Sequence, residues 1–236
     1  MGRGGLARWG RNLVDAIFPR VCEVCGTTLV EGEDIMCLQC LLDLPRTSLH
    51  RDDFNAIHER LAGRVPIERA GAFFYYYRGN PYTRLIHKAK YNNLPAIGRK
   101  LGARYAKEIA GDNFFDGIDL ILPVPLHWLK QMKRGYNQSR EIAKGIAGVT
   151  GLPISDNLRA RKGHSTQTRK NSFERWVNAQ DIYQVVRSSE LEDKHLLIVD
   201  DVITTGATLL ACCQAIKKAA PTAIISVAAL SLTHLR

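Results

Sequence analysis

The sequence predicts an α/β fold: a mainly parallel sheet covered by helices on both faces, preceded by a small cysteine-bearing module. Three observations predict it. Continuous apolar strands recur at "IDLILPVP" (118–125), "HLLIVDD" (195–201) and "AIISVAALSL" (223–232). A strand that is apolar throughout, with no alternation, is one buried on both faces. Helical patterns separate these runs, as crossover connections between parallel strands require. Two C-x2-C pairs stand ahead of all of them.

Taken in order, residues 1–20 place Leu6, Trp9, Leu13 and Ile17 at helical spacing, so the spacing predicts an amphipathic lead-in helix. The alternative for that face is contact with a membrane surface. The segment lacks the apolar core and small-residue cleavage site of a signal peptide, which makes a cytoplasmic location the expectation. No apolar run approaches the roughly 18 residues that span a bilayer, so no integral membrane segment is expected.

Residues 21–45 hold Cys22, Cys25, Cys37 and Cys40 in "CEVCGTTLVEGEDIMCLQC". Each C-x2-C turn presents two thiolates to one metal, and Gly26 follows the first pair where a knuckle needs a permissive backbone. A structural zinc ribbon is the reading; a rubredoxin-like iron site and a disulfide pair are the alternatives. Four thiolates would close the coordination sphere, leaving no open position for catalysis. Cys212 and Cys213, in "TLLACCQAIKKAA", read instead as small core residues of a helix.

Residues 46–69 are polar and weakly periodic, and read as a connector with a turn of helix. Residues 70–236 form the main domain. "AGAFFYYY" (70–77) has the aromatic content of a strand. Residues 81–110 read as helix, broken near Asn92–Pro95. "NQSREIAKGIAGVTG" (137–151) gives a helix with Ile142 and Ile146 at i, i+4 and a closing glycine. A further helix runs from Thr208 to about Ala220.

The chain has 236 residues and a formal net charge of +10, concentrated in three stretches: 84–107, 130–144 and 159–175. Such clusters suit polyanions, nucleic acid or a pyrophosphorylated small molecule. The bland reading is a set of solvated faces.

The chemistry concentrates at "LLIVDDVITTGAT" (196–208). A loop of small residues between a strand and a helix points successive N–H groups at an anion, and the helix N-terminus adds partial positive charge. Thr204, Thr205, Gly206, Ala207 and Thr208 therefore make a monophosphate cradle, one that has neither the lysine nor the spacing of a Walker A loop. Acids beside a phosphate are unfavourable unless they bind sugar hydroxyls or share a divalent cation. Asp200 and Asp201 with this loop point to a ribose 5-phosphate; the bland alternative is a capped strand-to-helix turn.

"LLIVDDVITTGAT" resembles the phosphoribosyl pyrophosphate signature of type I phosphoribosyltransferases. The wider chain resembles the ComF family of phosphoribosyltransferase-like proteins, associated with competence. "LVDAIFPRVCEVCG" is similar to that family's entry into its zinc ribbon, and "YRGNPYTRLIHKAKY" to its segment before a helical hood. "LPVPLHWLKQMKRGYNQS" resembles its pyrophosphate-side loop and "RKGHSTQTRKNSFERWVNA" its mobile basic loop. The resemblance implies a type I phosphoribosyltransferase-like parallel sheet with an N-terminal zinc ribbon. It implies that Asp200 and Asp201 hold the ribose 2′- and 3′-hydroxyls and Thr204–Thr208 the 5′-phosphate. Backbone around Val124, Pro125 and Leu126 would face the pyrophosphate. Arg134, Arg161, Lys162 and Arg175 would neutralise it as it leaves with Mg²⁺. The implied partners are phosphoribosyl pyrophosphate, single-stranded DNA and proteins of the DNA-uptake machinery. Thr204 stands where purine-salvage members carry an acid that serves the incoming base, which argues against 6-oxopurine salvage and leaves the acceptor open.

Overall fold

The computed structural model describes residues 19–77, 79–91, 94–126, 131–132, 134–161 and 182–233. The lead-in helix, and most of the basic segment 159–175, fall outside them.

Four strands build the main sheet: β1 (Ala70–Tyr76), β2 (Leu120–Pro123), β5 (His195–Ile203) and β6 (Ile224–Thr233). All pairs are parallel and the order is β1-β6-β5-β2. An isolated parallel bridge from Ile121 to Ile154 extends the sheet beyond β2. Two short antiparallel strands, β3 (Leu158–Ala160) and β4 (Tyr183–Val185), pair separately.

Alternation along β5 explains why its apolar run is unbroken. Leu197 and Val199 enter one core, shared with the cysteine module; Leu196 and Ile198 enter the other. All four have no measurable exposure, and successive strand residues point to opposite faces. The first face is covered by α3 (Thr83–Tyr91), α4 (Pro95–Ile109) and α5 (Gln138–Thr150). The second is covered by α2 (Ala56–Leu61) and α6 (Ala207–Ala219), where Cys212 and Cys213 are fully buried. Among the described residues, no helix is long and apolar enough to cross a membrane.

Helices α4 and α5 touch backbone to backbone. A Cβ on Gly102 would collide with the Ile142 carbonyl oxygen, and one on Gly145 with the Arg99 carbonyl oxygen. Two glycines facing each other's helix thus set the depth at which α5 lies. The Asn137 side chain caps its start by accepting from Arg140 N, and Gly151 closes it in the left-handed region at φ 75°. This fixed placement matters because the first turn of α5 reaches the end of β5.

The cysteine module leans on the same face. Its short helix, α1 (Leu38–Leu42), begins immediately after Cys37. Tyr82 Oη donates to the Cys40 carbonyl at 2.8 Å, Arg84 Nη1 to the Val24 carbonyl at 3.1 Å, and Lys88 pairs with Glu23. Lys100 pairs with Asp34. The segment between module and sheet contributes Leu49, Ile57, Leu61 and Val65 to the second core.

Candidate functional site

The register of the sheet places the two acids. β2 pairs with β5 as far as Pro123 against Val199, while β5 continues to Ile203 against β6 alone. Asp200 and Asp201 therefore lie inside β5, past the end of β2 rather than at the end of their own strand. Their β2-side edge is open to the start of α5 and the loop after β2.

Being consecutive strand residues, they meet different neighbours. Asp200 is 8% exposed. Its Oδ1 accepts from Ser139 Oγ at 3.1 Å and from the Asp201 amide at 2.8 Å. Burial first, then the Asp201 carboxylate, pushes the Asp200 carboxyl up to about 7. Asp201 Oδ2 lies 3.1 Å from Lys90 Nζ, and both side chains are largely covered. Lys90 belongs to the last turn of α3. The pair therefore presents one carboxyl protonating near neutrality and one ion-paired carboxylate.

The loop beyond is its opposite. Thr204, Thr205, Ala207 and Thr208 are exposed. Gly206, at φ 82°, forms the N-cap of α6 and gives it no side-chain cap hydrogen bond. Within the loop Ala207 N donates to Thr205 Oγ1 at 3.4 Å. The first amides of a 13-residue helix thus have little to satisfy them, an anion-receptive arrangement. The start of the loop is held from α2. Arg60, in α2, donates to the carbonyls of Ile203 (3.3 Å), Thr204 and Thr233 (2.6 Å). Thr233 Oγ1 donates to the Ile203 carbonyl at 3.2 Å.

The loop after β2 closes the third side. Val124 is buried and Pro125 and Leu126 half-buried. The Val124 amide donates to the Val199 carbonyl at 2.9 Å, and its carbonyl accepts from Asn137 Nδ2 at 3.0 Å. Arg134 Nη1 donates to Gln138 Oε1 at 3.0 Å, and Tyr136 Oη to the Ala89 carbonyl of α3. A cavity of about 450 Å³ beside this loop is lined by Leu126, Asn137, Arg140 and Arg159, among others.

The structure thus brings together Asp200, Asp201, Thr204–Thr208 and Val124–Leu126. Arg161 is exposed, following β3 and joined through its amide to the Ile182 carbonyl at 2.8 Å. Lys162 and Arg175 lie outside the described residues, as do His127 and His164. His87 Nε2 meets Tyr76 Oη at 3.3 Å. Residues that sequence reasoning left without a role are Lys90, Ser139, Asn137 and Arg60. Lys90 and Ser139 stand within the quoted resemblance stretches; nothing in the sequence around Arg60 signals its part.

The basic run 84–107 is largely spoken for. Of its seven Lys and Arg residues, Arg84, Lys88, Lys90, Arg99 and Lys100 meet partners on other elements. Arg104 and Lys107 line a groove against the cysteine module.

In that module the four cysteine sulfurs lie within 4.8 Å of one another, with Cys25 Sγ 3.7 Å from Cys37 Sγ. Tetrahedral thiolates at a zinc–sulfur distance of 2.3 Å stand about 3.8 Å apart, so the donor set fits a four-coordinate ion. The knuckle backbone is formed: Gly26 N donates to the Cys22 carbonyl at 2.9 Å and Cys22 N to the Thr27 carbonyl at 2.7 Å. Burial, then the neighbouring sulfurs, pushes the Cys40 thiol well up, a cost that a bound cation relieves.

Comparison with known proteins agrees with this architecture. The phosphoribosyl transferase domain model matches residues 90–234, more than half of the chain. Competence protein F of Haemophilus influenzae is 30% identical over 134 residues, covering 55% of this chain and 58% of that protein. The chain therefore matches little more than half the length of that relative. DNA utilization protein YhgH of Escherichia coli O6:H1 is 25% identical over 199 residues, 80% of each chain. An allosteric regulatory enzyme of purine biosynthesis overlaps at a TM-score of 0.41 and 21% identity, over 56% of this chain and 25% of that one. That superposition is too slight to add to the sequence matches. The chain belongs to the phosphoribosyl transferase domain family and, by its relatives and its four-cysteine cluster, to the ComF family within it.

Proposed function

We propose that the chain binds phosphoribosyl pyrophosphate with Mg²⁺ where β5 runs past the end of β2 and transfers its phosphoribosyl group to an acceptor. The observation that supports this most is the juxtaposition of an acid pair, Asp200 buried and Asp201 half-buried, with a helix N-terminus that has no side-chain cap one loop away. In this reading Asp200 and Asp201 accept from the ribose 2′- and 3′-hydroxyls, and the amides and hydroxyls of Thr204–Thr208 receive the 5′-phosphate. Val124, Pro125 and Leu126 face the pyrophosphate, while Arg134, Arg161, Lys162 and Arg175 offset its charge. Bond breaking at C1 leaves positive character on the sugar, which hydrogen bonds at the 2-hydroxyl stabilise, as in glycoside chemistry. Magnesium bound with the ligand supplies charge neutralisation on the departing pyrophosphate. The cysteine module holds a structural zinc ion.

Calorimetry with Mg²⁺ and phosphoribosyl pyrophosphate tests binding, and a pyrophosphate-release screen over bases and amines tests turnover. Saturable binding that is lost in the Asp200→Asn/Asp201→Asn double variant is expected. Absence of binding by the wild-type chain would overturn the reading. Binding without release across the whole screen would leave a sensor rather than a transferase.

A second reading, single-stranded DNA handling in DNA uptake, is favoured by the names of the relatives, "Competence protein F" and "DNA utilization protein". Its affinity would fall steeply with salt. A flat salt response would count against it.

A further inference from the structure

One helix joins the cysteine module to the acid pair. Nine residues long, α3 spans about 13 Å. Just ahead of it, Tyr82 is buried and donates to the carbonyl of Cys40, one of the four clustered cysteines. In its first turn Arg84 holds the Val24 carbonyl, and in its second turn Lys88 pairs with Glu23. Val24 and Glu23 both lie between Cys22 and Cys25, so α3 grips the first knuckle directly. At the far end Tyr136 holds the Ala89 carbonyl, and Lys90 reaches Asp201 Oδ2 at 3.1 Å.

Lys90 is an odd occupant for a site whose acids await sugar hydroxyls. Its ammonium and the Asp201 carboxylate are 21% and 17% exposed. A largely covered cation beside a polyanion site is a strong phosphate binder when the anion arrives. Without it, the two acids would have no cation paired with them where they meet the ligand's phosphates, a like-charge arrangement that weakens binding.

We infer that Lys90 is a ligand-binding cation of the phosphoribosyl pyrophosphate site, and that the metal-organised cysteine module, through α3, keeps it in reach. This rests on the function proposed above. The module is then more than a stabilising appendage, because its grip on Arg84 and Lys88 sets how well the remote site binds its ligand.

The test is calorimetric titration of the full, metal-loaded chain with Mg²⁺ and phosphoribosyl pyrophosphate, joined to a double-mutant cycle. Lys90→Met is expected to weaken binding by on the order of tenfold, the scale of one lost charged hydrogen bond. Lys90→Arg should recover part of it, which a packing role would not. Lys88→Met, at the module, is expected to weaken binding by about threefold in the wild-type background and to have no effect on top of Lys90→Met. Amide exchange of residues 83–91 gives a readout free of ligand: it should rise in Lys88→Met and after chelation of the metal.

Wild-type affinity in Lys90→Met would overturn the role of Lys90 while leaving the binding site intact. An equal Lys88→Met effect in both backgrounds, or unchanged exchange in α3 after chelation, would overturn the coupling. Failure of the wild-type chain to bind at all would instead sink the function on which the inference rests.

Discussion

The two halves of the β5–α6 site are built on opposite principles. The acid half is buried and wired: Asp200 takes Ser139 and a backbone amide, and Asp201 takes Lys90. The loop half is exposed and nearly unbonded on its outer side, with Thr205 Oγ1 to Ala207 N at 3.4 Å as its one internal contact. Arg60 holds it from behind by its carbonyls. The difference follows from what each must recognise. Neutral hydroxyls need acceptors fixed in place and withheld from water, whereas a phosphate is attracted by amides that need only be left unpaired. The acid half therefore stores unfavourable energy in the empty protein, and the loop half stores little.

That asymmetry is broken most severely by Asp200→Asn. Affinity for phosphoribosyl pyrophosphate should fall about 100-fold, since a charged acceptor is lost, while the fold gains stability. The sign follows from linkage. Folded Asp200 titrates at about 7, against about 3.9 in an unfolded chain. Stability is thus lost as pH rises from about 4 to about 7 and stays lost above that. Asparagine keeps the acceptor for Ser139 without that loss. The gain, on the order of 1–3 kcal/mol at pH 8, should vanish below about pH 4. Denaturant melts at the two pH values check it; a variant destabilised at pH 8 would refute the account of stored energy.

The loop half responds differently to loss of its rear support. Arg60→Met removes donors to three carbonyls and should cost about 2 kcal/mol in stability. It should also weaken ligand binding, because the carbonyls it holds start the loop whose amides receive the ligand. Here stability and affinity fall together, whereas in Asp200→Asn they part. Parallel changes in both variants would erase the distinction between the halves.

A pH titration sharpens the comparison without mutation. Ligand hydroxyls that donate to Asp200 bind its ionised form more tightly than its protonated form, so binding favours loss of the proton below about pH 7. Affinity should fall as the pH drops below that point, by at most roughly tenfold per pH unit, and level off above it. Asp200→Asn should flatten the slope, separating it from titration of the ligand's own phosphates.

How much of this was legible beforehand divides along the same line. The loop half is local: strand, small residues, glycine and helix follow in sequence, so its anion chemistry reads directly from Ile203 to Leu209. The wiring of the acid half is not local. Ser139 precedes Asp200 by 61 residues, and Lys90 stands on α3, far back in the chain from its partner Asp201. No periodicity encodes such pairings; Ser139 meets Asp200 because Gly102 and Gly145 let α5 settle against α4. The acids themselves mislead slightly. Aspartate is disfavoured in strands, so an acidic pair reads as a strand's end, yet β6 carries β5 on to Ile203. Strands β3 and β4 escaped notice because three residues each leave too little pattern to recognise.

The smallest effect belongs to Thr205→Ala, and its smallness is informative. The hydroxyl makes one long contact to Ala207 N and is otherwise turned to solvent in an exposed residue. Losing it should change stability by less than about 0.5 kcal/mol. If the loop receives a phosphate, the same hydroxyl becomes a donor to it, and affinity should fall by roughly three- to tenfold, the scale of one neutral hydrogen bond. A change in affinity with an unchanged melting midpoint would mark a residue whose bond is made only when the ligand is present. Equal, near-zero changes in both would place the phosphate against the amides alone. A loss of stability would mean instead that Thr205 caps α6 in earnest, and that the loop half is wired after all.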